Sequence, residues 1–162
     1  MSRRILVVDD EPRVLAIVKK RLELAGYEVD TAVEGFEALK KARSDKPELI
    51  VLDLILPGLN GYQICRMLKG DKHYAGIPIL MLTARSQEND VTEGMRVGAD
   101  AYMTKPYDAG MFLDQVSSLL AEADKRRAAE EENLADRLKE VVGKRKWLEN
   151  ADARRPAEEK KS

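Results

Sequence analysis

The sequence predicts an α/β protein, a doubly wound five-stranded parallel sheet followed by a charged, helical C-terminal extension. Three observations predict it: short runs rich in Val, Ile and Leu recur, longer amphipathic stretches separate them, and each run ends in polar residues. The runs are Ile5 to Val8, Val29 to Ala32, Leu49 to Leu52, Ile79 to Leu82 and Ala101 to Thr104. The first, third and fourth are apolar throughout, as strands covered on both faces are. Strands that alternate with helical patterns build parallel sheets, because each return to the same edge needs a crossover.

The helices follow in order. Val14, Leu15, Ile17, Val18, Leu22 and Leu24 repeat at helical spacing between Pro12, a residue suited to a first helical turn, and Gly26, a stop. Phe36, Ala38, Leu39 and Ala42 repeat ahead of Pro47, and further helices fit Tyr62 to Leu68, Asp90 to Val97 and a last one from Asp108 onward. Glycines punctuate most joints, but Gly94 falls inside a predicted helix, against its propensity. The chain divides into a domain over residues 1–121 and an extension over 122–162 that has too few apolar residues for a core of its own.

Composition excludes several functions. The 162 residues carry a formal net charge of −1, so no excess of base marks the chain for nucleic acid or an anionic membrane. The single cysteine, Cys65, forms no internal disulfide and reads as a small buried hydrophobe. His73 stands alone in a loop, without metal-binding neighbours. No apolar run approaches the roughly 20 residues that cross a bilayer, and the N-terminus lacks signal-peptide character; a cytoplasmic location is the expectation.

In an open parallel sheet, ligands bind beyond the carboxyl ends of the strands. Those ends here carry Asp9 and Asp10, Asp53, Thr83, and Thr104 followed by Lys105 and Pro106. Gathered carboxylates repel unless a cation neutralises them, and an all-oxygen set suits Mg²⁺ or Mn²⁺. A carboxylate beside such an ion is a nucleophile for phosphoryl transfer, with a lysine ammonium and a hydroxyl to receive the transferred oxygens. Asp53, Lys105 and Thr83 match those roles. Each has a plainer reading by itself: Asp9 and Asp10 as a capped turn, Asp53 as a turn residue before Pro57, Thr83 as a helix cap, and Tyr102 as a half-buried strand aromatic.

Four segments together are more specific: Ile5-Leu-Val-Val-Asp-Asp-Glu-Pro12, Val51-Leu-Asp-Leu-Ile-Leu-Pro-Gly58, Met81-Leu-Thr-Ala84 and Gly98-Ala-Asp-Ala-Tyr-Met-Thr-Lys-Pro106. Over residues 3–121 they make the chain resemble the receiver domain of two-component response regulators, close in layout to single-domain chemotaxis regulators. The resemblance implies strand order 2-1-3-4-5. It implies that Asp53 accepts a phosphoryl group from a sensor histidine kinase or phosphotransfer protein. By the same resemblance Mg²⁺ (or Mn²⁺) sits on Asp10, Asp53 and the backbone carbonyl of Ile55, with Asp9 acting through water. It further implies that Thr83 and Lys105 hold the phosphoryl oxygens, that a cis peptide precedes Pro106, and that Tyr102 is a rotameric switch. Ile55 and Arg85 stand where the family tunes hydrolysis, and apolar Ile55 predicts a long-lived phosphate.

A switch that catalyses only its own phosphorylation and dephosphorylation is the expectation, rather than an enzyme. An aspartate-nucleophile phosphatase would need a second acid where Ile55 stands, and the other alternative is an unphosphorylated adaptor. In the tail, more than half the residues are charged, and Leu113, Leu120, Leu134, Leu138, Val141 and Leu148 fall on one heptad frame broken by Asp124, Arg127 and Glu131. A homodimer through the last receiver helix and tail is an expectation; nucleic acid and membrane partners are not.

Overall fold

The computed structural model describes residues 2–84 and 88–154. Arg85 and the tail's Pro156 lie outside the described residues. The elements run β1 (Arg4–Val8), α1 (Pro12–Leu24), β2 (Glu28–Ala32), α2 (Gly35–Asp45), β3 (Leu49–Leu52), α3 (Gly61–Lys69), β4 (Ile79–Thr83), α4 (Glu88–Arg96), β5 (Ala101–Thr104) and α5 (Ala109–Ala153). All strand pairs are parallel, in the order β2-β1-β3-β4-β5. Each apolar run is therefore a strand, and the sheet order is the one that the resemblance implies.

Alternate residues of each strand face opposite sides of the sheet, which divides the core in two. Leu6, Val8, Ile50, Leu52, Ile79 and Met81 pack against Ala38, Leu39 and Ala42 of α2 and Ile64, Cys65 and Leu68 of α3. On the other face Ile5, Val7, Leu49, Val51, Leu80 and Leu82 meet Leu15, Val18 and Leu22 of α1 and Phe112, Val116, Leu119 and Leu120 of α5. Burying one such side chain stabilises by about 1.5–3 kcal/mol, so the three central strands supply most of the driving force. Local signals set the helix ends. Pro12 opens α1, Glu34 caps α2 through the Phe36 and Glu37 amides, and Asn60 and Gln63 form a reciprocal capping box at α3.

Two side-chain networks complete the sheet. Lys69 Nζ donates to the carbonyls of Ala75 (3.1 Å) and Ile77 (2.7 Å) and to Asp100 Oδ2 (2.8 Å), which also accepts from the Ile79 amide (2.8 Å). The pair fastens together the entries of β4 and β5. At the open edge, β2 has β1 on one side only, and the outward amide and carbonyl of Thr31 and the amide of Val33 are met by their own chain. Lys41 Nζ donates to the Thr31 carbonyl (2.6 Å), Asp30 Oδ1 accepts from the Thr31 amide (2.8 Å), and Glu37 Oε2 accepts from the Val33 amide (3.3 Å).

The chain forms two compact units, Met1–Ala123 and Asp124–Ser162. Within the second, every described side chain from Lys125 to Asn150 is exposed. Ion pairs join Asp124 to Arg127 and Arg145 to Glu149 along the helix, while Leu134, Leu138, Val141 and Leu148 remain bare.

Candidate functional site

Sheet register assembles the site. β1 and β3 pair with Val8 beside Leu52, and the Asp53 amide donates to the Val8 carbonyl at 2.9 Å, so the residues that follow each strand become neighbours. Asp9, Asp10 and Asp53 each offer a carboxylate oxygen, and these atoms all lie within 4.8 Å of one another. On the far side of β4, Thr83 pairs with Thr104, and the Lys105 amide donates to the Thr83 carbonyl at 2.8 Å. The Lys105–Pro106 peptide is cis.

Three polar residues of this cluster are buried, Asp9 at 4%, Asp53 at 8% and Thr83 at 1% exposure, while Asp10 faces solvent. Lys105 Nζ donates to Asp9 Oδ2 at 2.6 Å and stands 3.6 Å from Asp53 Oδ2. Asp9 Oδ1 accepts from the Glu11 amide at 2.9 Å, which fixes that carboxylate at the start of α1. Burial pushes the Asp53 carboxyl above its usual range, against the opposing pull of the Lys105 charge and a hydrogen bond from Thr83. Burial pulls the Lys105 ammonium down, but its bond to Asp9 and the nearby negative charges outweigh that and raise it. Three close oxygens with one lysine among them form a set that a small, hard divalent cation fits.

The sequence-predicted residues Asp9, Asp10, Asp53, Thr83 and Lys105 thus meet at one sheet edge. Ile55 is in place as well: its amide donates to Asp53 Oδ1 at 3.4 Å, and its side chain is exposed. Tyr102 is half-buried against the α2/α3 side of the core, beside Met81 in the β4–β5 register. The sequence reading missed two supports. A Cβ on Gly61 would fall 2.5 Å from the Asp53 carbonyl oxygen, so only glycine lets α3 start this close to Asp53. Tyr107, just beyond Pro106, is held between the Arg21 guanidinium (5.5 Å) and the Phe112 ring (5.2 Å), which anchors the loop bearing Lys105. An aromatic directly after the Lys-Pro pair and a glycine eight residues after the aspartate were the available signals.

Comparison with known proteins agrees with this fold. The family model described as the response regulator receiver domain matches residues 5–117, and the chain belongs to that family. It is 45% identical over 124 residues to the alkaline phosphatase synthesis transcriptional regulatory protein PhoP of Bacillus subtilis, a match covering 76% of this chain and 51% of PhoP. It is 38% identical over 118 residues to protein PilH of Pseudomonas aeruginosa, covering 73% of this chain and 98% of PilH. Among solved structures, the chemotaxis protein CheY4 of Vibrio cholerae is 32% identical with a TM-score of 0.69, over 74% of this chain and 99% of that one. The chain spans about half the length of PhoP and of the transcriptional regulator RpaA of Synechocystis. No helix among the described residues is long and apolar enough to cross a membrane.

Proposed function

We propose that Asp53 is the phosphoacceptor of this receiver domain, that a sensor histidine kinase or phosphotransfer protein is its donor, and that aspartyl phosphate switches the domain's interaction surface. The observation that carries the reading is the convergence of Asp9, Asp10, Asp53, Thr83 and Lys105 at the carboxyl edge of the sheet.

An Asp53 carboxylate oxygen attacks the phosphorus of a phosphohistidine, a new P–O bond forms, and the P–N bond breaks. The imidazole nitrogen leaves with the bonding pair and takes a proton from water. A divalent ion held by Asp10, Asp53 and the Ile55 carbonyl, with Asp9 beside it, would neutralise charge on the transferred oxygens. Lys105 shifts its ammonium from Asp9 toward the incoming phosphoryl group, a short swing from a position already 3.6 Å from Asp53. Thr83, already hydrogen-bonded to Asp53, turns its hydroxyl to a phosphoryl oxygen. Such charge-directed contacts, made in the transition state, are worth about 10²–10³ in rate each. Output passes through the α4–β5 region around Tyr102, and the bare residues Leu134, Leu138, Val141 and Leu148 supply a route for self-association.

Acetyl phosphate with Mg²⁺ tests the proposal. Intact mass should rise by one phosphoryl group in the wild type and not in Asp53→Asn. A wild type that gains no mass supports the adaptor alternative instead.

A further inference from the structure

Gly94 lies in the interior of α4, where glycine is the least favourable residue apart from proline. Its neighbours account for it. A Cβ built at position 94 would stand 3.0 Å from Tyr102 Cδ2, 3.2 Å from Tyr102 Cε2 and 3.4 Å from Met81 Sδ. The first two distances are shorter than an ordinary van der Waals contact, and the ring is half-buried against the packed core, which limits how far it can give way. Tyr102 and Met81 are register partners, and Thr83, two residues beyond Met81, shares its face of the sheet. Thr83 in turn is hydrogen-bonded to Asp53. One strand face therefore runs from the phosphoacceptor to the backbone of α4, with the Tyr102 ring as its last member.

We propose that Gly94 is a positioning residue, a backbone seat for the Tyr102 ring, through which the ring's position sets the packing of α4 according to the state of Asp53. The seat rests on contacts alone; the coupling to Asp53 rests on the function proposed above. A ring that rotates away removes its contact with the backbone at Gly94, so α4 repacks when Tyr102 moves.

Four proteins test this: wild type, Gly94→Ala, Tyr102→Ala and the double variant. Thermal unfolding decides the seat. Gly94→Ala should lower the melting temperature of the wild type, because the new methyl crowds the ring. It should raise that of Tyr102→Ala, because with the ring gone alanine is simply the better helix former. The same sign in both backgrounds overturns the seat. If Gly94→Ala alone fails to fold, recovery of folding in the double variant carries the same positive result, and its absence the same negative one.

Calorimetric titration with beryllofluoride and Mg²⁺ decides the coupling. Gly94→Ala should change the affinity of the wild type by about fivefold or more and leave that of Tyr102→Ala unchanged. A tighter affinity assigns the seated ring to the resting state, a weaker one to the phosphorylated state, and either supports the coupling. An unchanged affinity overturns it. A wild type that takes no beryllofluoride overturns the parent function and the coupling together, while the sign test on melting temperature still decides the seat.

Discussion

The role proposed for Asp53 sets two opposed demands. A nucleophile must be ionised, yet burial at this strand end favours the protonated form and pushes the carboxyl above its ordinary value of 3.8, with Lys105 and Thr83 pulling the other way. A carboxyl raised in the folded state contributes stability below its unfolded pKa and loses it as pH rises through the folded value. At pH 7 and without metal, the ionised carboxylate is therefore a liability. Asp53→Asn should raise the melting temperature in EDTA by a few degrees, on the order of 1 kcal/mol for a domain of this size, and the gain should vanish toward pH 3. Thermal unfolding across pH measures it. Cys65 is pushed up to about 11 by burial and stays a thiol throughout that range. Ile55, exposed and apolar next to Asp53, offers an attacking water no hydrogen bond. Ile55→Asn should speed loss of the phosphoryl group by about tenfold, followed as loss of the phosphorylated mass with time; an equal decay rate counts against this assignment.

At the scale of elements, the strands were legible because apolar runs of four residues between turn signals leave few alternatives, and α1, α2 and α3 because their buried positions repeat at helical spacing. What stayed hidden were contacts between elements. No local pattern couples Lys69 to Asp100 or Lys41 to the Thr31 carbonyl, since both depend on how helices dock. Gly94 looked like a fault in its helix until the Tyr102 ring lay against it. Lys41 guards the open edge of β2, and the exposed ion pairs it makes are worth under about 1 kcal/mol. Lys41→Met should therefore leave the melting temperature nearly unchanged while exposing the Thr31 carbonyl to pairing with another chain. Sedimentation velocity should show concentration-dependent association in the variant alone; a variant as monodisperse as the wild type would remove this role.

For the molecule as a whole, the site was legible as a set of residue types at strand ends, and the family segments supplied the sheet order that makes them neighbours. The supports at Gly61 and Tyr107 were not legible, because a close backbone approach and a ring stacked on another helix leave no periodic trace. Core burial extends along α5 as far as Ala123, and the side chains from Lys125 to Asn150 contribute none. A chain ending after Ala123 should keep its stability within about 0.5 kcal/mol by thermal unfolding. Borohydride trapping reads the proposed phosphoryl group on Asp53, because it reduces an aspartyl phosphate to homoserine at the residue that carried it. After acetyl phosphate and Mg²⁺, peptide mapping should find homoserine at position 53 alone. Homoserine at position 9 or 10, or none in a protein that has gained a phosphoryl mass, would rule out Asp53 as the acceptor.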